Sequence, residues 1–123
     1  MVGCVITLDN KIIGRGWHQK AGEEHAEVNA IQNVFENLGS SAESALENSE
    51  MFVTLEPCSM CASAISEVHI NTLYFGAYDE KNGGIEKIRI AFKRNNIFIP
   101  NIYGGIMENE CSKLLKKFFK NKR

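Results

Sequence analysis

The chain has 123 residues, 44% hydrophobic and 24% charged, with a formal net charge of −1. That length suits one domain, residues 1–123, with a single core and no room for a second. No apolar run approaches the ~20 residues of a membrane span, and Asp9, Asn10 and Lys11 cut the first apolar segment too short for a secretory signal.

Val2 to Leu8 is apolar and β-branched, and Lys11 to Trp17 repeats that character after Asp9-Asn10, which predicts a β-hairpin. Gly14 and Gly16 in its second strand predict a bulge or a close backbone approach. His18 to Glu24 is a polar loop. From His25 onward Ala30, Ile31, Val34, Phe35 and Leu38 follow helical spacing, and Gly39 is placed to end that helix. Gly39 to Glu50 is rich in Ser, Glu and Asn and reads as a loop with room for a short helical turn.

Met51 to Leu55 is a short buried strand that delivers Glu56-Pro57. Cys58, Cys61, Ala62 and Ile65 mark one helical stripe, and Thr72 to Gly76 is a further strand. A loop with Asp79, Lys81 and Gly83-Gly84 follows. Ile85, Ile88 and Phe92 predict a modest helix, and Ile97 to Ile102 a strand in which Pro100 demands an edge or a bulge. Met107, Cys111, Leu114 or Leu115, and Phe118 make the stripe of a last helix. Strands alternating with helices predict an α/β domain of three layers, with helices on both faces of a mixed sheet.

The net charge conceals an asymmetry. Lys113 to Arg123 holds six basic residues and no acidic one, whereas residues 1–112 hold 8 basic and 15 acidic residues, a net of −7. Such a tail contacts a phosphate backbone, or it is a solvated helix end whose lysines complement the macrodipole. Phe118 and Phe119 lie about 100° apart on a helix, so one of them is exposed among the lysines, available to an unpaired base or to a dimer partner.

Chemistry concentrates in His25-Ala26-Glu27 and Pro57-Cys58-Ser59-Met60-Cys61. A C-x-x-C alone is ambiguous between metal binding and redox chemistry. One imidazole and two thiolates from His25, Cys58 and Cys61 give Zn²⁺ three protein ligands and leave the fourth tetrahedral position for water. Glu27, two residues beyond a ligand, is placed to carry the proton of that water. Both cysteines fall at a helix N-terminus, where the dipole favours thiolate. Cys4 and Cys111 are expected as buried free thiols, which suits a reducing, cytoplasmic setting. His18 stands at the mouth of the same pocket, seven residues before His25.

His-x-Glu followed by Pro-Cys-x-x-Cys is the signature of zinc nucleobase deaminases, and the sequence resembles the cytidine-deaminase-like superfamily. That resemblance implies five strands in the sheet, a homodimer, and substrate contacts from His18, Leu55, Glu56, Pro57, Asp79 and Phe119. It is divided along the chain. Residues 51–123 resemble bacterial tRNA-specific adenosine deaminases, through Val53-Thr54-Leu55-Glu56-Pro57-Cys58, Met60-Cys61-Ala62, Phe75-Gly76-Ala77 with Asp79 and Lys81, Gly105-Ile106, and Leu114-Leu115 to Phe118-Phe119. Residues 2–31 resemble the riboflavin-pathway diaminopyrimidine deaminase domain, through Val2-Gly3-Cys4-Val5-Ile6, Gly16 to Glu23, and His25 to Ala30.

The riboflavin enzymes typically separate their metal cysteines by more than Ser59 and Met60, and often carry a fused reductase. The tRNA enzymes usually have an asparagine where His18 stands and about four more residues in the loop before the zinc histidine. Both begin with a helix ahead of Val2-Gly3 that this sequence lacks, which predicts an exposed sheet face or a partner covering it. The cysteine spacing, the Asp79 loop and the terminal helix favour the tRNA enzyme, with an anticodon stem-loop as partner. Deamination of the riboflavin-pathway nucleotide, or of free guanine or cytosine, is the alternative. A silent zinc-binding or regulatory module is the non-enzyme alternative, and the intact Glu27 argues against it.

Overall fold

In the computed structural model of the protein, which describes residues 2–18, 25–79, 98–107 and 109–110, the hairpin leads. Strands β1 (Val2–Leu8) and β2 (Lys11–His18) pair antiparallel. Asp9 and Asn10 turn between them with left-handed backbones, φ 51° and 64°. Two positive φ values in a two-residue turn match the right-handed twist of the flanking strands. The register slips after Ile6, which faces Gly14 while Thr7 faces Ile12, so Ile13 is the extra residue of a bulge.

Helix α1 (Ala26–Leu38) follows, and Gly39 ends it at φ 54°. The stretch read as a loop is more ordered than expected: a 3₁₀ turn, Gly39–Ser41, runs into helix α2 (Ala42–Glu47). Ala42, Ala45 and Leu46 bury themselves and hold it there. Strand β3 (Glu50–Leu55), helix α3 (Ser59–Glu67) and strand β4 (Thr72–Ala77) come next. The last strand, β5, covers only Asn101–Tyr103 rather than Ile97 to Ile102. Pro100 has no N–H for a ladder and stands just ahead of the paired segment. The helix read around Ile85 to Phe92 lies outside the described residues. So does the last helix beyond Glu110. Met107 precedes that helix in a turn, at φ 51°.

The sheet has five strands in the order β2-β1-β3-β4-β5, antiparallel from β2 to β3 and parallel from β3 to β5. Pairing puts Cys4, Val53 and Phe75 on one face, with Ile6, Met51 and Leu73 beside them. Ala30, Ile31 and Val34 of α1, Leu46 of α2, and Ala62 and Ile65 of α3 join them in one core. Each large side chain buried there stabilises the fold by roughly 1.5–3 kcal/mol. All three described helices therefore lie on this face, and the second helical layer expected from sequence falls outside the described residues.

Contact between α1 and β2 is made at backbone distance. A methyl group at Gly16 would collide with Ala26 O and Ala30 N, and one at Gly14 with Val34 and Ala30 O. The bulge and the close approach are both present, and the glycines serve the second. The outer side of β2 is occupied as well. Asn29 Nδ2 donates to Trp17 O (3.1 Å), Asn33 Oδ1 accepts from the Arg15 N–H (3.0 Å), and Asn37 Nδ2 donates to Ile13 O (3.1 Å). Asparagines four apart on the helix thus match alternate residues of an edge strand, closing groups that another chain would otherwise pair with. Each such bond contributes about 0.5–1.5 kcal/mol.

Because rigid backbone meets Gly16, Gly16→Ala should cost about 1–3 kcal/mol in denaturant unfolding and weaken metal binding, since it lifts the first turn of α1. Gly3→Ala, where an added Cβ meets nothing within 4 Å, should leave both near wild type. Equal effects from the two substitutions would contradict this placement of α1.

Candidate metal centre and substrate cavity

Two helix N-termini converge on one point. His25 and Cys58 are the N-cap residues of α1 and α3, with extended backbones (ψ 153° and 174°) and no side-chain capping bond. Their side chains meet each other instead. His25 Nδ1 lies 3.5 Å from Cys58 Sγ and 3.2 Å from Cys61 Sγ. All three candidate ligand atoms fall within 4.8 Å of one another. Zinc bonded at ~2.0–2.1 Å to nitrogen and ~2.3 Å to sulfur has tetrahedral N···S edges of about 3.5 Å. The trio fits that ion, and among the described residues it supplies three of the four ligands.

Electrostatics point the same way. Cys61 is fully buried, and burial pushes its thiol up, with the Glu27 carboxylate and Cys58 acting in the same direction. A buried thiol so placed stays protonated unless positive charge arrives. A divalent cation supplies it, and the two helix N-termini add to it. Metal binding therefore displaces protons and couples to folding. Cys4, 2% exposed, is likewise pushed up by burial and then by Glu27, and it lies outside the ligand cluster as a free thiol.

Glu27 sits in the first turn of α1 at 4% exposure. Burial raises its carboxyl above the usual range, while its own backbone N–H, a hydrogen bond with Cys61, and the charges of His25 and His18 pull the other way. A carboxyl raised in this manner is better matched to proton transfer near neutral pH than an exposed one.

Beside this cluster opens a cavity of about 380 Å³, within the range of small-ligand sites. Its wall includes His18, Leu55, Glu56 and Asp79 together with His25, Glu27 and Cys58. The His18 ring meets the His25 ring edge-on at 5.4 Å between centroids. Glu56 Oε1 accepts the Asp79 N–H at 3.1 Å, tying the end of β3 to the end of β4. Pro57, expected among the substrate contacts, is buried behind the site and does not line the cavity. Phe119 lies outside the described residues. Val2 and Ala26 line the cavity and were not anticipated. Their apolar side chains carry no chemical signal in sequence. Among the described residues, no helix is long and apolar enough to cross a membrane.

Residues 1–77 match the family model for the cytidine and deoxycytidylate deaminase zinc-binding region. The chain is 36% identical over 127 residues to a tRNA-specific adenosine deaminase of Agrobacterium fabrum, covering 99% of this chain and 82% of that one. It is 34% identical over 128 residues to a diaminohydroxyphosphoribosylamino-pyrimidine deaminase of Buchnera aphidicola, covering 99% and 80%. Among solved structures, a chain from a study of A-to-I editing by tRNA:A34 deaminases superposes with a TM-score of 0.78 at 35% identity. That match covers 91% of this chain and 83% of the other.

Elemental analysis of the purified protein should give one zinc per chain. Cys58→Ala should lose it and melt lower, and added zinc should no longer raise the melting temperature. Cys4→Ala should keep the metal. Stoichiometric zinc in Cys58→Ala would contradict the assigned ligand set.

Proposed function

This chain belongs to the cytidine and deoxycytidylate deaminase zinc-binding family, and we propose that it converts adenosine to inosine at the wobble position of a tRNA. One observation carries the deaminase reading: His25, Cys58 and Cys61 converge within ligand distance beside a buried Glu27 at the wall of a cavity. The short Cys58-Ser59-Met60-Cys61 spacing and the tRNA-deaminase relatives support the choice of substrate.

The reaction exchanges a ring C–NH₂ for C=O, consuming water and releasing ammonia. His25, Cys58 and Cys61 would hold zinc, which when bound would supply the Lewis acidity that activates water near neutral pH. Glu27 does the proton work. Its carboxylate takes a proton from the attacking water and passes it to the ring nitrogen beside the reacting carbon. It then takes the proton of the hydroxyl that has added to that carbon and gives it to the amine, which leaves as ammonia while the carbonyl forms. His18, Leu55, Glu56 and Asp79 surround the base, and their cavity admits one nucleobase withdrawn from its stack. Beyond the described residues, Phe119 is a platform for an unpaired base and Lys113 to Arg123 meets phosphates. The proposed assembly is a homodimer.

The second reading, deamination of the riboflavin-pathway nucleotide, rests on His18, which stands in the cavity against His25 where the tRNA enzymes usually carry asparagine.

Glu27→Ala should retain zinc and fold yet lose activity by more than the roughly 10²- to 10⁴-fold of a single general acid–base group, because one carboxylate serves several transfers. A tenth of wild-type turnover in this variant would refute its role. Substrate choice is decided by paired assays on a wobble-adenosine stem-loop and on the diaminopyrimidine nucleotide. The stem-loop should be the better substrate, and Phe119→Ala should weaken its processing by roughly one to two decades, the equivalent of one lost stacking contact. Nucleotide turnover should not respond to Phe119→Ala. A wild type that ignores the stem-loop and deaminates the nucleotide would establish the second reading.

A further inference from the structure

Residues 77–79 are clamped where β4 ends beside the cavity. Ala77 O accepts the Glu56 N–H at 2.8 Å, and Glu56 Oε1 accepts the Asp79 N–H at 3.1 Å. Both bonds run to the residue just before Pro57-Cys58, so this short stretch is tied to the metal side of the site. Tyr78 lies between the two bonds. Asp79 lines the cavity and Tyr78 does not. The tyrosine therefore stands at the rim, one residue or about 3.8 Å of chain from the cavity wall.

Its ring is held from behind. It meets the Phe75 ring edge-on, 5.0 Å between centroids and 86° between planes, and Phe75 is itself buried. A Cβ at Gly104 would collide with the tip of the Phe75 ring and with the Tyr78 hydroxyl, so the glycine leaves the space in which the tyrosine ring rests. Yet Tyr78 stays 54% exposed. A ring fixed on one side and open on the other is ready for a planar ligand, because little side-chain freedom is lost when the ligand stacks on it.

We propose that Tyr78 is the stacking platform for the base next to the extruded adenosine in an unpaired RNA loop. The proposal rests on the tRNA reading above. The cavity, about 380 Å³, takes the reacting base, and drawing that base out leaves its neighbours unstacked. Bases freed in this way are held on aromatic side chains. The neighbour of a base seated against Asp79 comes to the rim, where Tyr78 offers its ring. Every base has a π-face, so the platform adds affinity for a loop without fixing its sequence. A mononucleotide has no flanking base and gains nothing there, which makes Tyr78 a residue that separates an RNA loop from a small substrate.

In the full zinc-loaded chain, Tyr78→Ala should lower kcat/KM on a wobble-adenosine stem-loop by roughly 5- to 150-fold, the usual worth of one base on one aromatic ring. Tyr78→Phe should restore most of it. On the same stem-loop with abasic sites on both sides of the adenosine, wild type and Tyr78→Ala should turn over alike, because the partner of the ring is gone. A loss that persists undiminished on the abasic stem-loop would overturn the proposal, since the ring would then act on the fold or on a second copy of the chain. Should Tyr78→Ala lose zinc or unfold, Tyr78→Leu, which keeps an apolar side chain against Phe75, carries the same comparison. If wild type processes the intact stem-loop and the ring-less variant matches it, the platform is refuted and the tRNA reading stands. A wild type that ignores the stem-loop refutes both.

Discussion

The site depends on how closely α1 can lie against β2. Backbone of the first helical turn rests on Gly16, at a distance no other residue permits, and His25 and Glu27 belong to that turn and its cap. Asn29, Asn33 and Asn37 bond the outer side of β2 and lock the helix against sliding or rolling. The other half of the site arrives on α3 from the end of β3, braced by the Glu56 bond to Asp79. Two rigid supports thus bring three ligand atoms within 4.8 Å. A shift of the helix by the thickness of one methyl group would disturb that geometry.

Burial gives this arrangement its chemistry. Cys61 and Glu27 are both enclosed: burial raises both groups, and the Glu27 carboxylate raises Cys61 further, while a hydrogen bond with Cys61 eases ionisation of Glu27. A thiolate formed at Cys61 without positive charge beside it would be costly, because unpaired buried charge is expensive. Zinc held by His25, Cys58 and Cys61 would supply that charge, and on the proposed function Glu27 would be the group that exchanges protons. Three ligands among the described residues and the adjoining cavity distinguish the site from a structural zinc centre, which would close around the ion.

Much of this was legible in the sequence. The C-x-x-C and His-x-Glu spacings carry their meaning without tertiary structure, since ligand type and proton carrier are local chemistry. The hairpin, α1 and β4 follow from periodicity and from Asp9-Asn10 and Gly39. Other features depend on neighbours distant in sequence. Asn29, Asn33 and Asn37 read as neutral helix surface until β2 is placed beside them. Pro57 is expected as a contact from the resemblance, and its burial depends on the fold around it rather than on its neighbours in sequence. Helix α2 lacks a strong periodic signal and exists because Ala42 and Leu46 find the core. Substrate choice was the least legible property, since the two proposed contacts on which it was argued, His18 and Phe119, carry no signal as local as the shared zinc chemistry.

An open three-ligand centre served by a separate carboxylate is the central claim, and zinc K-edge X-ray absorption tests it most directly. The account predicts two sulfur scatterers at about 2.3 Å and two light scatterers at about 2.0–2.1 Å, unchanged in Glu27→Gln. A third sulfur would contradict it, and so would a light scatterer that disappears with Glu27, because the carboxylate would then be a ligand and not the proton carrier.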